Sequence, residues 1–563
     1  MEENDLAAQI ANAPPGAKIK VRPGTYPSLV ITRPVRLVGD PNMQVFVKGE
    51  GREALSVKAT GVSVQNIQFL CHGIGALPAV SVAAGAELEM EACTIQSNTA
   101  IGLLATGKAS VKALGTTFAV PSGAGLRLTE QAKANLTQCT VSDTKIGLNA
   151  WSGASAELHS CAFERDGGTD GGGSVLALTG EGTVATADDC HFNSNTAGLL
   201  VTQQASLTIT KTWFENNAAG IEGGVLGLIS VRNGAHATLT TNTFESNRQG
   251  VVVTDGGSVE MLQCKLDRNG LDNRQVVPAS LPLLVTGEKS SAIVRKSNFT
   301  DSVQYAIGVM AGGQLTLDEV DISGSRIAAV ILGERNTAPV RAEIKRSHLN
   351  GNGTGLGLLA GSSAAIEDSE FRDNNDGIIA FDAGTRLKAT RIAIVSNRDR
   401  GLYVYSGAAA SLLDGDLKNN ARGAMSGTRG RSSERATITL ENCRLSGNKV
   451  FGAGAATQSE LILTNCVFDG TDKTNIYKER GANVQINQPP TPAPSLTPPG
   501  DDNFSPAPEE SPAPSVSPSP ETSPSPSPKR AKSTSRPRRK PTPRPLTPED
   551  VGRALRRLLP GGP

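Results

Sequence analysis

Ala86-Glu-Leu88-Glu-Met90-Glu-Ala-Cys93-Thr-Ile95-Gln-Ser-Asn98-Thr-Ala-Ile-Gly102-Leu103 and Ala235-His-Ala-Thr-Leu239-Thr-Thr-Asn242-Thr-Phe244-Glu-Ser-Asn247-Arg-Gln-Gly250-Val251-Val-Val253 run through one succession: apolar alternation, a short apolar strand, Asn, Gly, and apolar alternation again. Anchored two residues before the centre of the short strand, the pattern recurs at 93, 116, 139, 161, 190, 212, 242, 264, 297, 320, 347, 369, 392, 415, 443 and 466. Ten of the fifteen spacings are 22 or 23 residues, so a single unit repeats from Ala86 to Gly470. Each unit holds two or three strands of three to five residues alternating with period two, too short for helices and too regular for loops.

Such a chain is all-β, a coil of parallel strands. Apolar side chains point into the lumen and stack on their equivalents about 4.8 Å away, while the backbone pairs with the turns on either side. Asn recurs five residues after the anchor, at Asn98, Asn195, Asn217, Asn247, Asn269, Asn352, Asn374, Asn397, Asn420 and Asn448, which predicts an amide ladder. Gly eight or nine residues after the anchor, as at Gly102, Gly147, Gly250, Gly377 and Gly401, reads as a corner requiring positive φ.

Outward from the repeats, Asp5 to Ala13 has the pattern of a short amphipathic helix, giving an N-terminal cap over residues 1–13 and a β-helix over 14–486. Composition breaks at Asn487: 22 of the 33 prolines fall in the last 77 residues. Residues 487–546 are a disordered Pro/Ser-rich and basic linker. Its basic block, Lys529, Arg530, Lys532, Arg536, Arg538, Arg539, Lys540 and Arg544, suits an acidic partner. Residues 547–560 form a short amphipathic helix in this reading: Thr547-Pro548-Glu549-Asp550 is an N-cap, a Pro at the first position and acids in the first turn. Val551, Leu555, Leu558 and Leu559 follow at helical spacing.

The opening, Ile19-Lys-Val21-Arg-Pro23-Gly24-Thr25-Tyr26 with Val30-Ile31 and Val35-Arg-Leu37-Val38-Gly39, resembles the start of right-handed parallel β-helix proteins of the pectin-lyase-like superfamily. The repeats resemble the generic β-helix repeats of bacterial proteins and F-box adaptors. The resemblance covers about residues 5 to 486 and implies a right-handed parallel β-helix. It does not fix a function, since the superfamily holds lyases, hydrolases, esterases, epimerases, adhesins and scaffolds.

The catalytic signatures of that superfamily are incomplete here. After Gly24-Thr25-Tyr26 the pectin-esterase pattern stops at Pro27-Ser28. Asp188-Asp189 matches one fragment of a polygalacturonase site without its partners, and no carboxylate cluster for calcium lines up across turns. Gly351-Asn352-Gly353-Thr354-Gly355 lacks the Lys-Ser/Thr of a phosphate loop. No cofactor and no metal is expected, and the cysteines, seven of them at the anchor position, read as small buried core residues.

Candidate binding residues fall in two groups. Three insertions, Asp166 to Gly173, Ala218 to Gly227 and Gly270 to Pro282, extend the same corner in alternate turns and contribute Asp170, Glu222, Asp272 and Arg274. Beside them the outward position after the anchor carries His191, Trp213, Thr243 and Lys265. The second group is Leu359, Phe381 and Tyr405, expected outward on three adjacent turns as an apolar patch.

With 55 Lys+Arg against 54 Asp+Glu, the charge balance argues against wholesale nucleic-acid or membrane binding, and no apolar run is long enough to span a bilayer. The acidic start Met1-Glu2-Glu3-Asn4-Asp5 is not that of a signal peptide, which with free buried thiols sets a cytoplasmic expectation. The functional expectation is a non-enzymatic β-helix scaffold that binds a protein or polysaccharide partner through surface loops and carries a tethering tail. The alternative is a carbohydrate-active enzyme, a polysaccharide lyase or a glycoside hydrolase.

Overall fold

The computed structural model describes residues 5–72, 77–168, 173–218, 227–270, 281–428, 434–470 and 474–487. One helix, α1 (Leu6–Asn12), precedes the strands; the Asp5 side chain accepts a hydrogen bond from the Ala8 amide at 3.0 Å and caps it. The strands then follow in threes, one for each of three parallel sheets. A turn of the coil runs, for example, through Glu87–Glu91 in sheet 1, Thr94–Ser97 in sheet 2 and Ile101–Ala105 in sheet 3. Sheet 1 has 20 strands among the described residues and pairs each turn with the next in strict register, as in Leu88↔Val111 and Val111↔Ala134.

The lumen is filled by columns of like residues. Phe163, Phe192, Phe214 and Phe244 stack with ring centroids 4.9, 4.8 and 4.7 Å apart and planes within 9°, which is the spacing of paired strands. All eight cysteines are free and buried. Seven of them share the anchor slot with Ser and Thr, while Cys71 pairs with Ser97 in sheet 2, and the slot is more than a small space. Cys139 Sγ donates to the carbonyls of Ala113 and Thr137, both at 3.4 Å, as Ser297 Oγ donates to Arg295 at 2.8 Å and Ser347 Oγ to Lys345 at 2.7 Å. Cys and Ser fill the slot by donating one proton, whereas Val320, Ile392 and Gly415 fill it without a donor, and burial pushes the Cys93 and Cys264 thiols up to about 11.

The asparagine ladder forms in two runs, Asn195 to Asn269 and Asn352 to Asn448. Asn217 is typical: Nδ2 donates to Phe192 O at 2.9 Å and to Asn247 Oδ1 at 2.8 Å, while Oδ1 accepts from the Asn195 amide at 3.0 Å and from Asn195 Nδ2 at 2.9 Å. Both protons and both lone-pair directions are used, which neither Ser nor Gln can reproduce in this space. Asn98 does not belong to it. That side chain is exposed, and the buried groups of its corner are Ser97 and Thr99, whose hydroxyls lie 2.7 Å apart.

The glycines after the ladder were expected at positive φ, and the structure corrects this. Gly102, Gly147, Gly250, Gly377 and Gly401 have ordinary backbone angles; instead they stack on the next turn so closely that a Cβ on Gly377 would lie 2.6 Å from Gly401 O and one on Gly401 2.5 Å from Gly423 O. Positive φ falls on the residue before each of the sixteen anchors, from Ala92 to Asn465, and only Gly115 among these is glycine. Each left-handed residue costs about 1 kcal/mol. Inter-turn hydrogen bonds such as Ala92 N to Leu114 O at 2.9 Å and Gln138 N to His159 O at 2.9 Å hold the corner in place.

Asp166 occupies the ladder position at the head of the first run. Its Oδ1 accepts from Thr144 N at 2.9 Å and Thr144 Oγ1 at 2.7 Å, its amide donates to Asn195 Oδ1 at 2.9 Å, and Oδ2, where the asparagines carry Nδ2, is buried with no partner among the described residues. Burial raises its pKa to about 7, against the Thr144 hydrogen bonds; Asp143 nearby raises it further and Arg165 opposes.

Two outcomes are expected. Asn397→Ala removes the donor to Phe371 O and the acceptor for the Asn374 amide, leaving buried backbone groups unpaired at a cost of about 2–4 kcal/mol; a fall of several degrees in Tm that Gln does not restore confirms the ladder. For Asp166, the unfolded carboxyl loses its proton near about 3.9 and the folded one near about 7. The folded chain therefore holds the extra proton in that window, and stability falls as pH rises through it, then levels off. Asp166→Asn should raise Tm at pH 8 and leave it unchanged at pH 4; parallel Tm profiles for the two proteins refute the assignment.

Candidate functional site

His191, Trp213, Thr243 and Lys265 are brought together as expected, in adjacent register on the outer face of sheet 2. The His191 and Trp213 rings lie 5.9 Å apart, and the indole is 47% exposed. Alternate outward positions on the same strands form an acidic column, Glu215, Glu245 and Asp267. His191 Nε2 is 3.6 Å from Glu215 Oε2, and Arg268 pairs with Glu245 and, at 2.8 Å, with Asp267. The carboxylates of this face are thus matched by His191 and Arg268, beside the exposed Lys265 and one exposed indole. Asp170, Glu222, Asp272 and Arg274 lie outside the described residues; the described flanks of their insertions leave at the corner between sheets 2 and 3.

Leu359, Phe381 and Tyr405 do stand outward on adjacent turns of sheet 3, but they are not an exposed patch. Leu359 and Phe381 are 7% and 6% exposed, in a second apolar cluster with Leu284, Tyr305, Met310 and Ile331; Tyr405 is half-buried against it. The residues after Leu332 supply part of the cover. Arg335 lies 5.2 Å over the Phe381 ring and forms a two-bond ion pair with Asp382 at 2.7 and 3.0 Å. The Arg335 contacts fasten a surface turn to the coil. At the other end of the Phe381 strand, Asp376 is buried 3.4 Å from Arg400 on the next turn, whose guanidinium sits 5.0 Å over Tyr403; burial raises Asp376 to about 6.

Asp188 and Asp189 also have structural roles. Asp188 pairs with His159 at 3.2 Å, and Asp189 is the left-handed corner before Cys190, accepting from Ser160 Oγ at 2.9 Å. Asn352, within the glycine-rich stretch, is a ladder residue. Among the described residues no group of three or more His, Cys, Asp or Glu side chains is arranged to hold a metal ion, and no helix is long and apolar enough to cross a membrane.

The concave feature that the sequence did not reveal lies on the outer face of sheet 1, an open trough of about 680 Å³. Two outward columns build it: Gln314, Arg341, Ser363, Arg386, Ala409 and Thr437, and alongside Thr316, Glu343, Ala365, Lys388, Ser411 and Thr439. From Arg341 on, long and short side chains alternate turn by turn, so Ser363 and Ala365 form a floor between the ridges of Arg341 with Glu343 and Arg386 with Lys388, and Ala409 and Ser411 form a second floor beyond Arg386 and Lys388. The three cationic side chains are exposed and form no ion pair among the described residues, whereas Glu343 is engaged by Lys345 at 3.4 Å. The usable signal was the size alternation down one column, visible only once register is known.

Solved structures with similar coils include the periplasmic alginate epimerase AlgG, at 13% identity over 73% of this chain and 77% of that one with a TM-score of 0.28. The PL6-family alginate lyase AlyGC matches at 10% identity over 85% and 98% with a TM-score of 0.25, and the Vag8–C1 inhibitor complex at 11% over 84% and 100% with a TM-score of 0.30. Comparison with curated proteins finds no match. The family model described as "Right handed beta helix region" matches residues 78–225, 226–341 and 305–488, and with the strand register above this shows that the chain belongs to the right-handed β-helix family.

Proposed function

We propose that the protein is a non-catalytic binding scaffold whose sheet 1 trough holds an extended acidic polysaccharide. The observation that carries this is the set of Arg341, Arg386 and Lys388, without an ion pair among the described residues, on the ridges of an open trough floored by small residues. An open trough admits a chain that continues past both ends. Arg341 and Arg386 stand two turns apart, about 10 Å along the axis, and so present charge in a line. The lining is rich in hydroxyls, from Thr316, Ser363, Ser411, Thr437 and Thr439, and lacks the aromatic anchors in apolar pockets that dominate protein interfaces; this favours a sugar chain over a protein. In this reading the basic block from Lys529 to Arg544 supplies a separate, salt-dependent contact with an acidic partner. The enzymatic alternative would place its chemistry at Glu343, the carboxylate lining the trough.

Calorimetric titration with polyuronates and sulfated glycans against a neutral glycan control tests the proposal. Binding should weaken as salt rises, and the triple variant Arg341→Ala, Arg386→Ala, Lys388→Ala should lose about tenfold or more in affinity with Tm held within a few degrees. Equal affinity of wild type and triple variant removes the trough from consideration. Release of reducing ends or unsaturated sugar, abolished by Glu343→Gln, would establish the enzymatic alternative instead.

A further inference from the structure

The two ends of the coil are finished differently. At the N-terminal end, α1 lies over the first turn: Leu6 and Ile10 are each 3% exposed and belong to the same apolar cluster as Val21, Tyr26 and Leu29. At the other end the inward columns continue one turn past Leu445, Leu461 and Leu463, which are at most 1% exposed, to Phe468, Val484 and Ile486. Phe468 and Val484 are only half-buried, and Ile486 is 50% exposed. Lumen side chains of the last turn therefore remain accessible along the axis. Asn483–Asn487 and Val467–Asp469 are also the last described strands of their sheets, so each presents a backbone edge of the kind that recruits another chain unless it is covered.

We propose that residues 547–560 of this chain dock on the open C-terminal turn and cap it, seating Val551, Leu555, Leu558 and Leu559 against Phe468, Val484 and Ile486. Two observations select this occupant. The segment shares its design with α1, where a capping Asp5 precedes Leu6 and Ile10 at helical spacing; here Thr547 precedes Pro548, two acids and the leucines. Residues 488–546 form the tether, a Pro-rich run that is stiff over only several residues at about 3.1 Å each and is long enough to double back to its start. Its own origin lies at the open turn, so docking of the leucines there is an intramolecular step. The basic block lies within the tether and stays available to a partner.

Hydrogen exchange followed by mass spectrometry on the full chain tests the cap. In Leu555→Asp, Leu558→Asp the amides of Val467–Asp469 and Asn483–Asn487 should exchange about tenfold faster or more, with Lys133–Thr137 unchanged as an internal reference. Leu555→Met, Leu558→Met should keep the protection. In a second measurement, Ile486→Cys combined with Leu558→Cys should form a disulfide within one chain on mild oxidation. Unchanged exchange at the last turn together with no intrachain bond overturns the proposal. So does protection that rises with protein concentration and bonds formed between chains, which would assign the open turn to a second copy, or protection that appears only on adding a polyuronate.

Discussion

A side chain in a parallel coil meets its own equivalent on the turn above and again on the turn below, about 4.8 Å away each time. This vertical neighbour is the constraint on which the rest of the structure depends. It selects residues by whether they tolerate themselves. Phenylalanine does, because offset stacking at 4.7 to 4.9 Å is close to ideal. Asparagine does, because the donor end of one amide meets the acceptor end of the next. A buried carboxylate does not, and Asp166 is accommodated at the head of a run, where Thr144 supplies two donors and the group's proton is retained to unusually high pH. On the outside the same rule favours opposite charges in adjacent turns, as Lys112 with Glu89 or Arg391 with Asp368, though such exposed pairs contribute little individually.

The interior was legible in the sequence because it repeats. Anchors, ladder asparagines and the inward Cys slot all follow from a period of 22 or 23 residues, and the strands fall where alternation put them. Errors arose where one sequence signal has two physical causes. A recurring glycine can mean positive φ or close approach, and Gly377 and Gly401 are cases of the second; the left-handed corners are instead taken by residues as varied as Gln138, Lys211 and Arg391. Asn98 sits at the right offset but on a corner whose buried groups are Ser97 and Thr99.

Periodicity also says which way a side chain points but not what lies over it. Leu359 and Phe381 point outward as alternation requires and are buried nonetheless, because the turn after Leu332 folds over them with Arg335. Conversely, the trough on sheet 1 is made of residues unremarkable one at a time. Arg386 and Lys388 are ordinary surface residues until register places Ser363 and Ala365 beneath them on one side and Ala409 and Ser411 on the other. A site of this kind is a property of columns, so it is invisible to any search for a local motif.

Columns also determine what such a site can recognise. Successive turns offer chemical groups at multiples of the strand spacing along a straight axis, so the backbones of Arg341 and Arg386, separated by one turn of small residues, stand about 10 Å apart while their exposed side chains adjust around that spacing. A ligand whose charges recur along its own length can meet both without bending, whereas a compact ligand can meet only one. The rigidity comes from the lumen: the floor strands Arg341–Lys345, Ser363–Glu367 and Arg386–Thr390 are fixed from below by Ile344, Ile366 and Ala389, all at most 3% exposed. Substituting a ridge residue therefore removes charge without moving the floor, while substituting a lumen residue moves the floor under every turn in contact with it. Recognition and stability are in this way assigned to opposite faces of the same strands.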